Sequence, residues 1–311
     1  MNKLIVTGAL GHIGSRLIRE LPLHFQDREI VMIDNFLTQR YCSLFDLPPG
    51  KYRFLEADIL NYDLSTVVDS EDVVIHLAAI TDAANSFTNA EQVEQVNHTG
   101  TKVVADLCAS RGAKLVFLST TSVYGTQEDV VDENCGETEL QPQSPYAASK
   151  LAAEKHLAQL GSERGLRYVI CRFGTIFGTS VGMRFHTAVN KFSWLAVMGQ
   201  PITVWRTAQH QRRPYLDLGD AVAALVHIIK NDLFAGDIYN VLTVNATVND
   251  IVSAISDVIG KVTIKYVDQE IMNQLSYTVA NDKFKRTGFE FKGDLKAGIK
   301  NTLELVKNAR S

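Results

Sequence analysis

The stretch Lys3-Leu4-Ile5-Val6-Thr7-Gly8-Ala9-Leu10-Gly11-His12-Ile13-Gly14-Ser15-Arg16-Leu17-Ile18 decides the fold. Lys3–Thr7 is a short β-branched run that stops at a glycine, and it reads as a buried strand. From Ile13 onward the apolar residues Ile13, Leu17, Ile18 and Leu21 recur at helical spacing, so Ile13–Leu21 reads as a helix closed by Pro22. Gly8, Gly11 and Gly14 therefore fall in the turn between a strand and a helix. A side chain there would keep a ligand off the backbone, and the helix N-terminus offers free N–H groups with partial positive charge. The turn is a candidate cradle for the pyrophosphate of a dinucleotide, formed by Gly8, Gly11, His12, Ile13 and Gly14. Its spacing is GxxGxxG rather than GxGxxG.

Working outward, Glu29–Ile33, Tyr52–Glu56, Val73–Leu77, Lys114–Ser119 and Arg167–Arg172 read as further strands, with helices between several of them, notably Glu91–Arg111 and Tyr146–Arg164. Strands apolar on both faces and joined through helices imply a parallel sheet covered on each side, with right-handed crossovers. The expected fold class is α/β, a doubly wound, Rossmann-like parallel sheet over residues 1–175, to which later segments around 200–235 return. The rest, 176–311, is less regular. Phe185–Met198, Asp220–Asn231, Val248–Ile259 and Leu295–Arg310 read as helices, and Ile202–Trp205, Ile238–Val241 and Thr263–Val267 as strands. With no repeat and no linker in sight, this half is expected to be a smaller, discontinuous substrate-binding lobe.

Composition narrows the class. The 311 residues are 46% hydrophobic and 21% charged with a formal net charge of -4, enough apolar content for a full core and a poor match to nucleic acid or an anionic membrane. No run approaches the ~18 apolar residues of a transmembrane helix, and the N-terminus lacks the features of a signal peptide, so a cytoplasmic protein is expected. Cys42, Cys108, Cys135 and Cys171 lie far apart without a CxxC pair, which argues against a zinc site or a disulfide framework. No metal is expected.

Asp34 follows the second strand. A carboxylate there accepts both adenosine ribose hydroxyls and repels a 2′-phosphate, which favours NAD over NADP. Asp34 before Asn35 can also simply form a turn, and Arg40 is a nearby cation that softens the preference. Asp58-Ile59 and Leu77-Ala78-Ala79 sit at carboxyl ends of strands, where open α/β sheets bind ligands. Small residues at 78 and 79 allow backbone to approach a cofactor, although an alanine pair is also ordinary packing. Downstream, Tyr146 and Lys150 stand at i and i+4 on one helical face. A phenol titrates near ~10, so a neutral-pH base needs ~3 units of help, for which an adjacent Lys⁺ and a nicotinamide cation are suitable sources. Such a pair also arises by chance. Ser119-Thr120-Thr121-Ser122 closes the fifth strand with hydroxyls, able to share a substrate proton with Tyr146 or merely to bond local backbone.

Taken together, the glycine turn, Asp34, His76-Leu77-Ala78-Ala79, Asn97-x-x-Gly100-Thr101, Ser119-Thr120…Val123-Tyr124-Gly125, Tyr146-x-x-x-Lys150, Arg172…Gly178, Arg213-Pro214-Tyr215…Asp220, Tyr239-Asn240-Val241 and Asn281-Asp282-Lys283 run in the order of a known family. The chain resembles, over nearly its whole length, the extended short-chain dehydrogenase/reductases, and within them the nucleotide-sugar epimerase/dehydratase branch. The resemblance implies NAD as cofactor, Tyr146 as base, Lys150 as a further contact to the nicotinamide ribose, Thr120 as hydroxyl partner and Asn97 as a structural and proton-relay residue. Asn97 also suits a helix N-cap. Ser119 is counted with Tyr146 and Lys150 among the cofactor contacts. Arg213, by itself an ordinary surface charge, resembles the arginine that holds a substrate diphosphate. A homodimer through Glu91–Arg111 and Tyr146–Arg164 is implied as well.

Two departures matter. Dehydratases and decarboxylases of this branch carry an acid just after the catalytic hydroxyl, where this chain has Thr121 and Ser122. Thr175 stands where the family has a substrate-side Asn, and Arg184 adds a second cation; His186 reads as a partly exposed loop or helix residue. The expected function is an NAD-dependent epimerase of a nucleotide-diphosphate sugar, at C4. The alternatives are a 4-keto-sugar reductase or dehydrogenase, a dehydratase, and a non-catalytic NAD-binding protein.

Overall fold

In a computed structural model that describes residues 2–125, 130–268 and 276–309, β1 (Leu4–Thr7) is wholly buried and pairs in parallel on both sides. One neighbour is β2 (Glu29–Asp34), which continues to β3 (Lys51–Glu56); the other is β4 (Val73–His76), followed by β5 (Lys114–Thr120). Beyond β5 lie β7 (Arg167–Phe173) and, at the edge, β11 (Ala235–Val241). The result is a seven-stranded parallel sheet in the order β11-β7-β5-β4-β1-β2-β3. The winding reverses between β1 and β4, and at such a switch point the strand ends open into a crevice.

Alternation along β1 shows how the sheet is buried. Leu4 and Val6 enter one core with Leu17, Ile18 and Leu21 of α1 (His12–His24) and Leu225 and Ile228 of α6 (Leu218–Lys230). Ile5 faces the opposite core with Val104, Ala105 and Cys108 of α3 (Gly100–Arg111) and Leu157 and Leu160 of α4 (Pro145–Arg164). With period-2 side chains on a sheet covered on both faces, every position must be apolar, which is why these strands read as continuous hydrophobic runs.

Two helices of the first half differ from expectation. Pro22 does not close α1, which runs on to His24. Proline removes the N–H that would serve the Ile18 carbonyl, and the Tyr52 hydroxyl donates to that carbonyl instead, at 3.3 Å. The segment expected as one helix over Glu91–Arg111 is broken into α2 (Ala90–Glu94), a π-helical turn over Gln95–Thr99, and α3. Such wide turns recur at functional sites.

The second half builds smaller sheets. β8 (Thr175–Phe177), β10 (Arg212–Asp217) and β12 (Val244–Thr247) form one, β9 (Ile202–Trp205) pairs with β13 (Ile264–Val267), and β6 (Val130–Val131) pairs with β14 (Thr278–Val279), which leads to the short α8 (Asp282–Lys285) against β11. The segments that rejoin the large sheet are thus α6, packed on α1, and β11, while β9 and β10 lie apart from it. α5 (Ala188–Val197), α7 (Val248–Ile259) and α9 (Leu295–Val306) close a third core with Phe177 and Tyr215. α5 begins three residues after the expected Phe185 start, and Arg310, the expected end of the last helix, lies outside the described residues. Among the described residues no helix is long and apolar enough to cross a membrane.

Candidate active site

A cavity of about 410 Å³ opens at the switch point. Every cofactor residue named from sequence lines it, from Gly8, Gly11, His12, Ile13 and Gly14 through Asp34, Asn35, Asp58, Ile59, Leu77, Ala78 and Ala79 to Ser119, together with Thr120, Tyr146, Lys150, Thr175 and Arg184. Asn97 and Arg213 are not part of the lining.

The glycine turn fits a dinucleotide pyrophosphate. Gly8 has φ +66°, and a Cβ there would stand 2.7 Å from the Ala78 nitrogen. At Gly14 a Cβ would meet the Gly8 oxygen at 2.5 Å, whereas at Gly11 it would meet only that oxygen, at 3.3 Å. Gly8 and Gly14 thus let loop, helix and β4 close tightly, and Gly11 leaves the cavity side bare. Asp34 accepts the Leu10 N–H with Oδ2 and the Phe36 N–H with Oδ1, both at 3.0 Å. The turn-forming reading of Asp34 therefore holds in the structure alongside its place in the cavity wall. Asn35 is tied by its amide to Asp58 Oδ2 at 2.9 Å.

α4 presents the Tyr/Lys pair because its N-terminus is set beside it. The Ser144 side chain caps the Ala147 N–H at 3.2 Å and Pro145 occupies the first turn. Burial raises the Tyr146 pKa, and the neighbouring Thr120 hydroxyl and the charge of Arg184 pull it down without overcoming burial. Lys150 is buried with its ammonium 4.8 Å from the centre of the Phe117 ring. Desolvation brings its pKa down to about 7, with Glu154 acting in the opposite sense.

Asn97 is buried in the π-helical turn, and its side chain clamps Ile80: Oδ1 accepts the Ile80 N–H at 2.8 Å and Nδ2 donates to the Ile80 carbonyl at 2.9 Å. It holds the strip of chain after β4 that forms the cavity wall. Sequence reasoning did not single out His76, Thr7 and Thr101 as a group. Thr101 Oγ1 donates to the Asn97 carbonyl, at 2.5 Å, so His76 Nε2 must donate to Thr101 at 3.0 Å; His76 Nδ1 is then the acceptor for Thr7 Oγ1 at 2.7 Å, and Thr7 accepts the Ala78 N–H at 3.2 Å. Burial holds the His76 pKa down to about 3, so the ring stays neutral. The alternation of apolar residues in β4 gave no signal for this chain of bonds.

At the other end of the cavity Arg184 and Thr175 line the wall, with His186. Burial, then the charge of Arg40, lowers the Arg184 pKa to about 10, and its Nε has no hydrogen-bond partner among the described residues. Arg213 lies on β10, its guanidinium 5.3 Å from the centre of the Tyr277 ring and donating to Gln211 Oε1 at 3.2 Å.

This geometry has close counterparts. Residues 4–241 match the model of the NAD dependent epimerase/dehydratase family. The chain is 29% identical, over 97% of its length, to the trifunctional UDP-glucose 4,6-dehydratase/UDP-4-keto-6-deoxy-D-glucose 3,5-epimerase/UDP-4-keto-L-rhamnose-reductase of Arabidopsis thaliana, of which it spans 46%, about half. It is 30% identical to the uncharacterized UDP-glucose epimerase YtcB of Bacillus subtilis, with 90% of this chain and 89% of that protein covered. Among solved structures it is similar to UDP-glucuronic acid 4-epimerase from Bacillus cereus in complex with NAD, with TM-score 0.87, 25% identity and 99% of each chain covered.

Proposed function

The chain belongs to the NAD dependent epimerase/dehydratase family, and from that premise we propose that it inverts C4 of a nucleotide-diphosphate sugar. The observation that carries the reading is the set of groups at the Thr120 strand end. Thr120 meets Tyr146, while the next two positions are Thr121, whose hydroxyl donates to the Phe173 carbonyl at 3.3 Å, and Ser122 in the cavity wall. Neither is a carboxyl acid that would expel water from a sugar. Asp82, a carboxylate in the lining, is engaged by the N–H groups of Ala84 and Asn85 and by the Asn85 amide. What remains is chemistry that needs one base and one hydroxyl.

A nicotinamide held by Lys150 and the cavity wall would supply the acceptor, and then the donor, of the C4 hydride. Tyr146 takes the C4 hydroxyl proton and gives it back, Thr120 orients that hydroxyl, and Lys150 holds the cofactor ribose. Because the Tyr146 phenol is held protonated by burial, it becomes a base only when a further positive charge stands beside it. This couples proton removal to the oxidised cofactor. Asp34 and the glycine turn select NAD. Arg184, in the wall, and Arg213, on β10, are the proposed cations for the diphosphate. The nucleotide to try first is UDP, since relatives in two of the comparisons are named for UDP-sugars.

The experiment is to incubate purified protein with UDP-glucose, UDP-glucuronic acid and UDP-N-acetylglucosamine, without added cofactor. A C4-inverted product with no net NADH supports the proposal. Loss of water from the sugar, or steady consumption of NADH when it is supplied in a parallel incubation, overturns it.

A further inference from the structure

One turn beyond Lys150 on α4, the carboxylate of Glu154 is 4% exposed and paired with Arg172 of β7, itself 2% exposed. Arg172 donates from Nε to both carboxylate oxygens at 3.1 and 3.2 Å and from Nη2 to Oε2 at 2.6 Å. Its remaining edge donates from Nη1 to the Tyr124 hydroxyl at 2.9 Å. The fourth hydrogen bond to Glu154 comes from the Ser119 hydroxyl, which stands in the cavity wall next to Thr120. A buried ion pair of this kind is weak evidence for stability, since an apolar pair of similar volume serves as well. Its placement calls for another reason.

The surroundings of Lys150 supply one. The ammonium lies over the Phe117 ring, and the side chain is buried. Its titratable and charged neighbours are Tyr146 and Glu154 on its own helix, His76 at the end of β4 and, behind Glu154, Arg172 on β7. β5 presents the Phe117 ring, which carries no charge. His76 is neutral throughout the working range, and Tyr146 is neutral until it acts. Glu154 is then the negative charge that offsets the desolvation of the ammonium.

We propose that Glu154, clamped by Arg172, is a positioning residue that keeps the Lys150 side chain charged and fixes the Ser119–Thr120 strand end for cofactor binding. The proposal rests on the reading of Lys150 as the nicotinamide-ribose contact. Arg172 fixes where the carboxylate sits, and Glu154 acts through two neighbours without touching the ligand itself.

The test is the affinity of NADH, followed by fluorescence from pH 6 to 9, which needs no sugar substrate and so is independent of the epimerase reading. In the unaltered protein, affinity should fall as pH rises and Lys150 loses its proton, and Lys150→Met should abolish that fall. In Glu154→Gln the fall should begin about one unit lower, leaving binding about tenfold weaker at pH 8 with little change at pH 6. Glu154→Asp should restore part of the difference. If Glu154→Gln weakens binding equally at every pH, or leaves the curve unmoved, the residue is merely structural and the proposal fails. Should the lone amide leave Arg172 unable to fold into its site, Glu154→Gln with Arg172→Met removes both charges. That folded variant loses a cation together with the carboxylate, so it should show a smaller downward displacement, and a curve like the unaltered protein's would also overturn the proposal. If Lys150→Met keeps the pH dependence, the fault lies in the assignment of Lys150.

Discussion

Asp34 holds Leu10: the carboxylate that closes β2 accepts the Leu10 N–H at 3.0 Å and so pegs the glycine turn to the neighbouring strand. The residue expected to choose the cofactor thereby also shapes the loop that cradles it.

Asp34→Ala should therefore lose affinity on two counts for NAD, the ribose bonds and the set of the loop, but gain relief from repulsion for NADP. Charge-assisted hydrogen bonds contribute ~1.5–3 kcal/mol each, so NAD binding is expected to weaken at least tenfold and NADP binding much less. Titration with both cofactors checks this; an unchanged NAD affinity would remove Asp34 from the ribose site.

Tyr146→Phe removes the proton acceptor and leaves the α4 N-cap and Lys150 in place. Turnover should fall ~10²-fold or more, the usual scale for a general base, with NAD affinity nearly unchanged. Steady-state kinetics and a cofactor titration on the same preparation separate the two; near-normal turnover would exclude Tyr146 as base.

The two arginines proposed for the diphosphate are placed differently, one in the cavity wall and one over the Tyr277 ring. Losing a desolvated charge-assisted contact costs ~2–5 kcal/mol, about 30-fold or more. Arg184→Gln is expected to raise KM for the UDP-sugar on that scale, and Arg213→Ala to raise it less, with Arg213→Lys recovering part of the loss because it restores charge but not the planar fork. NAD affinity should stay constant in the Arg213 variants, whose position lies outside the cradle. If Arg213→Ala has the larger effect, the substrate lies further toward β10 than the cavity wall suggests.

Acid should destabilise the fold through its buried imidazoles. His76, with its pKa held down to about 3, stays neutral in the folded chain while an unfolded histidine takes up a proton near 6.5. Between those limits the unfolded state binds more protons, so stability is full above about pH 6.5 and declines as pH falls toward 3. At pH 5 the term amounts to about 2 kcal/mol, and His12, held down to about 4 by burial, acts in the same direction. Urea unfolding at pH 7 and pH 5 measures it. A His76→Gln variant should show a shallower dependence; an equal one would mean that other groups dominate.

Pattern in the chain was enough for what is local. The strand, glycine turn and helix at residues 3–21 dictate a βαβ opening. Continuous apolar strands demand a sheet covered on both faces. The i, i+4 spacing of Tyr146 and Lys150 puts them on one helical face whatever surrounds them. These features follow from backbone geometry with periods of 2 and 3.6, which a sequence displays directly. Asp34 was legible for the same reason, since the second strand must end beside the first.

Only the tertiary structure decided the rest. Pro22 lies inside α1 because a tyrosine on β3 serves the carbonyl it leaves open. Asn97 grips Ile80 through a π-helical turn that no spacing rule announces. Arg184 enters the cavity wall and Arg213 does not, and nothing in their local sequence announces the difference. The first two depend on a side chain meeting a group far away in sequence, in a place with too little water to satisfy it otherwise, and the arginines on which segments the fold brings to the cavity. Burial makes such pairings obligatory, and only the folded arrangement determines which partner is within reach.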